Sequence, residues 1–504
     1  MKNKEDGSAL PTDVNRRGFF KTAMAAGGAL ALPGLQRATV PSKMIGIQVG
    51  AVSFVDEGTE KVLDILQERA HVNTLFLAVF TYGRGIAGRQ IPGQPLPDHG
   101  KQEYDLKYHG GNFATPHAQF YKNTILKNTR APDHGDLDIL AEVLPAAKKR
   151  GMKIICWLED VFRTDLPGIE QVQERDLHGR SAETLCLNNP NYRNFFTGLV
   201  EDYARSYDID GIMWGCERQG PLCDSLGATH DEPPIDPGNV TCFCEFCQRK
   251  AKERGINVER ARQGFLELEK FVRAARGGKR PVDGYYVQFW RLLLRYPELA
   301  AWEMLWTDSL RENYEAIYKT VKAARADVPV GWHIWHNNSF NPIYRAEQDL
   351  RELSKYSDFI KVVMYNNCGG ERMALYVDNI GSTLYADLSK KDLLEFTYSV
   401  MNLKERRYDQ VPSTGLSPDY VYRETRRALE DVAGTHTQIW PGIDIDIPTE
   451  ANHSKCTPQS VKEATLAALR AGAPGVLLSR KYSEMKLSNL SGAGEAIREL
   501  RLAG

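Results

Sequence analysis

The feature that most constrains the fold is a succession of short apolar runs separated by amphipathic segments. The runs cover residues 44–54, 72–80, 152–159, 209–217, 329–336, 358–366, 437–445 and 474–480. Short apolar runs of this kind are typical of strands that are buried on both faces, as they are in a parallel sheet. We therefore predict eight buried strands.

The segments between these runs carry apolar residues three and four positions apart, which predicts helices. They cover residues 60–71, 137–151, 192–207, 310–327, 421–434 and 460–473, and several end at a glycine, as a helix C-terminus often does. Strands that alternate with helices in this way predict an α/β fold, a closed (β/α)8 TIM barrel. An open doubly wound sheet is the alternative, although no G-x-G-x-x-G follows the first strand.

Long insertions follow three of the predicted strands. They cover residues 84–135, 218–290 and 368–430, after the second, fourth and sixth strands. All three lie on the side of a barrel where strands lead into helices, and barrels build their active sites there. We expect the functional residues on these loops and at the strand ends beside them.

The N-terminal segment "NRRGFFKTAMAAGGALALPG" contains paired arginines, Arg16 and Arg17, followed by Phe19, Phe20, Lys21 and a mildly apolar run. It resembles a twin-arginine export signal; a basic tail with a short apolar helix is the alternative. The run is too short to span a bilayer. We predict a signal peptide and linker over residues 1–41, a single barrel domain over 42–504, and a periplasmic or extracellular location.

Charge and cysteine content exclude some classes of protein. The chain has 504 residues and a formal net charge of −1, so nothing in its charge favours nucleic acid as a partner. Nine cysteines in this length are too few for a small disulfide scaffold. Self-association into a homo-oligomer remains open.

Three cysteines, Cys242, Cys244 and Cys247, fall within "TCFCEFCQRK". Closely spaced thiolates can wrap one zinc ion tetrahedrally, and a disulfide within C-x-C would be strained. We predict a structural zinc, with disulfides or unrelated buried thiols as alternatives. The candidates for a fourth ligand are Cys186, Cys216, Cys223 and Cys156.

The segment "CLNNPNYRNFFTGLVEDYARSYDIDGIMWGCE", together with the later "CFCEFC", resembles the central part of family 42 glycoside hydrolases and of related hypothetical glycosyl hydrolase barrels. The resemblance implies that Cys186 is the fourth zinc ligand and that Glu217 is the strand-four glutamate. The intervening pattern is matched by Asn188, Pro190, Tyr192 and Arg193. Glu217 follows Cys216 where the family usually has Asn, and the strand-seven glutamate has no clean counterpart here.

Glycoside hydrolysis generally needs two carboxyl groups across the scissile bond. We predict that Glu217 is the acid/base, with a raised pKa, at the end of strand four; an ion pair with Arg218 or a lysine is the alternative. Asp444, at the end of strand seven, is the predicted partner. Asp446 and then Asp160 are the substitutes, and Glu159 is expected to face away from Asp160.

Other strand ends carry the residue types that sugar sites use. The predicted substrate-binding residues are Asp160, Trp157, Trp214, His333, His336, Tyr365, Asn366, Asp446 and Arg480. Tryptophan rings offer faces for pyranose stacking, and the polar side chains can bond sugar hydroxyls. Each of these residues taken singly is more often structural, and it is their accumulation at predicted strand ends that favours a site.

These patterns predict an exported carbohydrate-active enzyme, a glycoside hydrolase acting on O-glycosyl bonds. The first alternative is a metal-dependent sugar isomerase, lyase or epimerase on the same barrel, with His333, His336, Glu217 and Asp444 as metal ligands. The second alternative is a noncatalytic sugar-binding barrel.

Overall fold

The computed structural model describes residues 43–127, 129–449 and 455–502. The predicted export signal over residues 1–41 lies outside the described residues, and its role stays a prediction. Among the described residues, no helix combines the length and the apolar character that a membrane crossing requires.

Eight parallel strands form a closed barrel. They are β1 (Met44–Gly50), β2 (Thr74–Thr81), β3 (Lys153–Glu159), β4 (Gly211–Gly215), β5 (Val330–Ile334), β6 (Phe359–Val363), β7 (Gln438–Asp444) and β8 (Gly475–Ser479). Each strand pairs with the next one along the chain, and β8 pairs with β1. All eight predicted strands and the predicted (β/α)8 TIM barrel are confirmed.

Amphipathic helices cover the outside of the barrel, because each has one apolar face to bury. The longer ones that connect successive strands are Thr59–Ala70, Ile139–Lys149, Pro190–Ser206, Glu298–Ala324, Pro418–Asp431 and Pro458–Arg470, and Leu487–Glu499 follows β8. Side-chain hydrogen bonds to the first backbone N–H groups determine where several of these helices begin. The Asp138 side chain, for example, accepts bonds from the backbone N–H groups of Leu140 and Ala141, which helix Ile139–Lys149 would otherwise leave unpaired.

The insertions after β2, β4 and β6, and the shorter connections after β1 and β5, contain further helices. They are Ala51–Glu57, Arg84–Ala87, Pro221–Leu226, Glu245–Glu253, Val258–Arg276, Tyr285–Arg295, Pro342–Glu347, Leu350–Leu353, Gly369–Gly381, Lys390–Met401 and Val411–Thr414. Single 3-10 turns cover Ala118–Phe120, Ile169–Gln171, His336–Ser339, Ser354–Tyr356 and Tyr482–Glu484. The short strand Gly111–Asn112 pairs antiparallel with β2.

A β-hairpin after β3 was not among the sequence predictions. Its strands are Gln173–Arg175 and Ser181–Leu185. The hairpin ends next to Cys186, which places this cysteine beside the carboxyl end of the barrel.

The register of four neighbouring strands places one row of side chains on a common face. Glu159 pairs with Gly215, Gly215 with His333, and His333 with Lys361. Paired residues of parallel strands point to the same side of a sheet, and here that side is the barrel interior. Glu217 lies two residues beyond Gly215 and continues the same face toward the barrel mouth.

Candidate active site

A pocket of about 270 Å³ opens at the carboxyl ends of β3 and β4. Its lining includes Glu159, Asp160, Glu217 and Arg218 from these strand ends, and Glu183 from the hairpin after β3. The pocket therefore brings several carboxyl groups together at the end of the barrel where TIM-barrel enzymes hold their catalytic groups.

Glu217 is an ionised carboxylate in this pocket. Its side chain is 49 % exposed, and His333 donates from Nε2 to its Oε1 over 2.6 Å. Burial raises the pKa of Glu217, but the hydrogen bond and charge of His333, with the charges of Lys361 and Arg372, outweigh burial and lower the pKa to about 2. The predicted raised pKa of Glu217 is therefore wrong.

Glu159 is the carboxyl group with the raised pKa. Its Oε2 accepts a bond from Thr81 Oγ1 at 3.3 Å. Burial and the charge of Glu217 raise the pKa of Glu159 to about 8, and Arg480, Thr81 and Lys361 only partly offset them. Glu159 therefore keeps its proton at neutral pH. Both Glu159 and Asp160 line the pocket, but, as expected, they face opposite ways: Glu159 points into the barrel interior, and Asp160 bonds Tyr192 and Arg218.

Lys361 lies beneath these carboxyl groups in the barrel interior. Its side chain is fully buried, and Nζ donates to Gln48 Oε1 at 2.8 Å and to Tyr365 Oη at 3.0 Å. Burial lowers the pKa of Lys361 to about 7, although the charges of Glu217 and Glu159 act to raise it. The barrel interior therefore holds a protonated carboxyl group at Glu159, a carboxylate at Glu217 and a lysine of lowered pKa.

Asp444, the predicted partner of Glu217, has a different role. It is fully buried, and its carboxylate accepts bonds from the backbone N–H groups of Asn367 at 3.2 Å and Cys368 at 2.8 Å. Asp444 thus anchors the loop that follows β6, and it is not a free carboxylate in the pocket.

Neither predicted substitute for Asp444 is free. Asp446 accepts bonds from the Lys486 backbone N–H and from the Asn489 side chain. Asp160 lies at the pocket, but its carboxylate is held by Tyr192 at 2.8 Å and by Arg218 in an ion pair. The predicted alternative for Glu217, a pair with Arg218, is likewise wrong, because Arg218 pairs with Asp160.

The two tryptophans predicted for sugar stacking are core residues. Trp157 and Trp214 are 1 % and 0 % exposed. Trp214 packs edge-on against Phe196 and Tyr314 of the surrounding helices, on the outer side of the barrel wall. Trp157 precedes Glu159 by two residues and lies one layer deeper in the barrel. Neither ring offers a face to a ligand.

The remaining predicted binding residues lie around the barrel mouth. His336 is buried between Tyr420, 3.1 Å from its Nε2, and Arg372, 3.1 Å from its Nδ1. The Tyr365 ring lies 5.3 Å from the His336 ring, and Asn366 is buried beside it. Arg480 donates to Glu484 at 2.9 Å and has a charge that acts on Glu159. Only His333 contacts a pocket carboxylate directly.

Four cysteine sulfurs converge as predicted. One ligand atom from each of Cys186, Cys242, Cys244 and Cys247 lies within 4.8 Å of the others, and all four residues are buried. The Cys186 sulfur is 3.4 Å from that of Cys244 and 3.7 Å from that of Cys247, well beyond the length of a disulfide bond. Hydrogen bonds from Cys186, Cys242 and Cys247 lower the pKa of the Cys244 thiol, whereas burial and the neighbouring sulfurs raise the pKa values of those three thiols.

Polar neighbours support the cysteine cluster from outside. Asn188 Nδ2 donates to the Cys247 sulfur at 3.3 Å, and Lys250 holds Asn188 through its Oδ1 at 3.0 Å. The Trp302 indole N–H donates to the Cys242 carbonyl. A thiolate set supported in this way fits a tetrahedral ion such as Zn²⁺.

The ligand set of the alternative function, a metal-dependent sugar isomerase, lyase or epimerase, does not come together. Among the described residues, the groups of metal-binding side chains are the four cysteines and a second set of Cys223, Glu303 and Glu347. His333 instead bonds Glu217, His336 bonds Tyr420, and Asp444 bonds backbone N–H groups.

Known proteins resemble this chain in architecture alone. No protein-family model and no curated protein matches the sequence. Solved structures with a similar fold include α-L-fucosidase isoenzyme 2 from Paenibacillus thiaminolyticus, with a TM-score of 0.49 and 13 % identity over 91 % of this chain and 49 % of that chain. A β-galactosidase from Halorubrum lacusprofundi has a TM-score of 0.48 and 14 % identity over 88 % of this chain and 56 % of that chain.

The glycoside hydrolase domain of PgaB (BpsB) from Bordetella bronchiseptica has a TM-score of 0.42 and 11 % identity, covering 91 % of this chain and 98 % of that chain. This chain spans about half the length of the fucosidase and of the galactosidase. With identities of 14 % or less, neither activity nor substrate follows from these similarities.

Sequence reasoning missed Glu159 as an acid and did not consider Gln48, Lys361 or Arg372. A usable signal was present for two of them. Gln48 interrupts the apolar run "IGIQVG", and Lys361 interrupts "FIKVV". A polar residue within a strand that is otherwise apolar must find partners in the barrel interior, and these two find each other.

Proposed function

We propose that this chain is a glycoside hydrolase in which Glu159 is the general acid and Glu217 is the ionised partner. The observation that carries the proposal is the opposite protonation of these two carboxyl groups in one pocket. Glycoside hydrolysis needs one carboxyl group of each kind, and paired groups with pKa values pushed apart mark the acid and the base.

Glu159 holds the proton that a leaving oxygen needs. Burial and the neighbouring charge of Glu217 keep that proton on Glu159 at neutral pH. When the glycosidic bond breaks, Glu159 transfers its proton to the departing oxygen. The charge of Lys361 and that of Arg480 then favour the carboxylate that remains.

Glu217 acts on the sugar side of the bond. As a carboxylate it either attacks the anomeric carbon or takes a proton from the attacking water. His333 bonds only one of its oxygens, Oε1, and thereby fixes the orientation of the group. The depressed pKa of Glu217 keeps the group ionised throughout the range in which Glu159 is protonated.

The proposal includes two features outside the pocket. The four cysteines hold a structural zinc ion, which ties the loop Thr241–Cys247 to the end of the hairpin after β3. The segment with Arg16 and Arg17 directs export, so that the enzyme meets its carbohydrate substrate outside the cytoplasm. The cysteine geometry supports the first feature, and the arginine motif supports the second.

The test compares glycosides with different leaving groups. The purified protein is assayed against aryl glycosides and oligosaccharides, and then the Glu159→Gln and Glu217→Gln variants are assayed on the best substrate. Each variant is expected to lower kcat by about 10²- to 10⁴-fold. An aryl leaving group of low pKa needs little protonation, so such substrates should restore much of the activity of Glu159→Gln and none of that of Glu217→Gln.

The matched control is Asp165→Asn, because Asp165 also follows β3 but pairs only with Arg163 and is 65 % exposed. Its activity should match that of the unmodified protein. Binding of oligosaccharides without turnover of any glycoside would refute the hydrolase proposal and would favour the noncatalytic sugar-binding barrel.

A further inference from the structure

A second cluster of potential metal ligands lies apart from the four cysteines and from the pocket. One ligand atom from each of Cys223, Glu303 and Glu347 lies within 4.8 Å of the others. The residues come from three elements: helix Pro221–Leu226 after β4, helix Glu298–Ala324 before β5, and helix Pro342–Glu347 after β5. All three are buried, with exposures of 0 %, 4 % and 7 %.

The Glu347 carboxyl group is the unexplained part of this cluster. Both of its oxygens are buried, and among the described residues no donor group bonds either of them; the only side-chain interaction of that kind is with the Glu303 carboxyl group beside it. The nearby guanidinium of Arg311 is directed elsewhere, since its Nη2 donates to the Glu347 backbone carbonyl at 2.7 Å. A buried carboxyl group to which nothing donates is unfavourable, so the site calls for a cation or a shared proton.

The other two side chains are held as metal ligands usually are. Glu303 accepts backbone N–H bonds from Leu222 at 2.7 Å and from Cys223 at 3.4 Å, which fix its carboxylate. Asn341 Nδ2 lies 3.6 Å from the Cys223 sulfur and is itself anchored to the Ala228 carbonyl at 2.9 Å. Such outer bonds orient ligands toward an ion.

We infer that Cys223, Glu303 and Glu347 form a second cation site, which binds a divalent transition metal ion with zinc as the first candidate. One thiolate and two carboxylates supply ligand types that Zn²⁺ accepts, whereas the thiolate disfavours Mg²⁺ and Ca²⁺. The ion replaces the protons that the thiol and the carboxyl groups would otherwise carry. It also gives the oxygens of Glu347 the directly bound, positively charged partner that none of the described residues supplies.

The position of this site links it to the barrel mouth. An ion there would join the segment that follows Glu217 to the helices on both sides of β5. Asn337 and Asn341 both donate to the Ala228 carbonyl, and Asn337 also donates to Gln219, two residues beyond Glu217. The inference does not depend on the reaction in the pocket, because its readout is metal content.

The test counts zinc in the purified full-length protein. Wild type, Glu347→Gln and Cys223→Ser are incubated with ZnCl2 alone, freed of unbound metal by gel filtration, and measured by elemental analysis. Each variant is expected to hold about one equivalent less zinc than wild type. Glu347→Gln preserves size and removes only the charge, so the fold should survive, and circular dichroism checks this.

Glu352→Gln is the matched control, because Glu352 lies five residues from Glu347 with an exposed side chain paired to Lys355; its zinc content should equal that of wild type. Equal zinc in wild type and Glu347→Gln would overturn the inference and assign the cluster to a shared proton. Were the variants to misfold, Co²⁺ titration of the wild type decides: two tight equivalents support the second site, and one equivalent refutes it.

Discussion

Glu159 and Glu217 carry the same chemical group in one pocket, but their surroundings push the pKa values in opposite directions. His333 stabilises the charge on Glu217 through a 2.6 Å bond. Glu159 has only the weaker contact with Thr81 at 3.3 Å and lies near the negative charge of Glu217. The ionised residue therefore helps to keep its neighbour protonated, and each role depends on the other.

This coupling predicts the pH dependence of activity. Glu159 must be protonated, so kcat/KM should fall as pH rises through about 8, the pKa of its carboxyl group. Glu217 has a pKa of about 2 and should impose no acidic limb above about pH 4. The check is a pH series of kcat/KM on one aryl glycoside.

Lys361, with a pKa of about 7, titrates in the same range, and Lys361→Met separates the two groups. An alkaline limb that persists in Lys361→Met belongs to Glu159. An alkaline limb that vanishes in this variant would contradict the assignment of Glu159 as the acid.

Glu159 should also affect stability. Its folded pKa of about 8 exceeds the ordinary value of 4.5, so between these pH values the folded state keeps a proton that the unfolded state releases. Stability is therefore lost as pH rises through this window. Glu159→Gln has no carboxyl group to ionise and therefore does not lose stability in this way. After allowance for solvent screening, its free energy of unfolding at pH 8 should exceed that of wild type by about 2 kcal/mol.

At pH 4 the difference between Glu159→Gln and wild type should nearly vanish. Urea unfolding at both pH values measures it, with Glu170→Gln, at an exposed residue of the 3-10 turn Ile169–Gln171, as the control. A gap that is the same at pH 4 and pH 8 would speak against a raised pKa for Glu159.

The sequence alone located Glu217 at a strand end but assigned it the wrong protonation state. A pKa depends on partners that are distant along the chain, and His333 is 116 residues away. Asp444 was chosen because it ends β7, yet the backbone N–H groups after β6 take up its carboxylate. Position along a strand can be predicted from the sequence, whereas the partners of a side chain depend on how the loops pack.

At the scale of elements, the eight strands were predictable because each is a predominantly apolar run in a sheet that is covered on both faces. The hairpin Gln173–Arg175 and Ser181–Leu185 was not, because its strands are short and rich in polar residues. The hairpin leads into Cys186 and so delivers the fourth sulfur to the loop Thr241–Cys247. The choice of Cys186 as the fourth ligand came only from the resemblance to a known family, because no local sequence pattern distinguishes it from the other candidate cysteines.

The cysteine loop yields a prediction about metal and stability. Cys244→Ser should remove about one equivalent of zinc, because Cys244 is one of the four converging sulfurs. Zinc binding contributes to the free energy of folding, so thermal unfolding should occur at a lower temperature than in wild type. Elemental analysis and calorimetry on the same sample measure both effects.

Cys456→Ser serves as the control, because Cys456 lies beside Asp446, away from the cluster; its zinc content should be unchanged. Full zinc content in Cys244→Ser would show that these sulfurs do not hold the ion.

At the scale of the whole molecule, every loop that leads from a strand into the next helix lies at the same end of the barrel. Several of these loops are long. The pocket and the cysteine cluster combine the segments that follow β3 and β4, and the Cys223 cluster combines the segments that follow β4 and β5. The architecture could be predicted from the sequence because it depends on repeated apolar periodicity. The assembly of the pocket and of the Cys223 cluster could not, because both depend on contacts between separate segments; the cysteine cluster was predicted from its sequence motif and the family resemblance.

The last prediction concerns export of the whole chain. The paired arginines Arg16 and Arg17 resemble the signal of a route that carries folded proteins, and a thiolate zinc site is best filled in a reducing compartment before oxidation can occur. A double variant, Arg16→Lys and Arg17→Lys, keeps the charge but loses the arginine pair. It should therefore accumulate in the cytoplasm, folded and with the same zinc content as the exported protein. Cell fractionation and elemental analysis measure both properties. Normal export of the double variant would refute the twin-arginine interpretation, and a zinc-free cytoplasmic form would refute metal loading before transport.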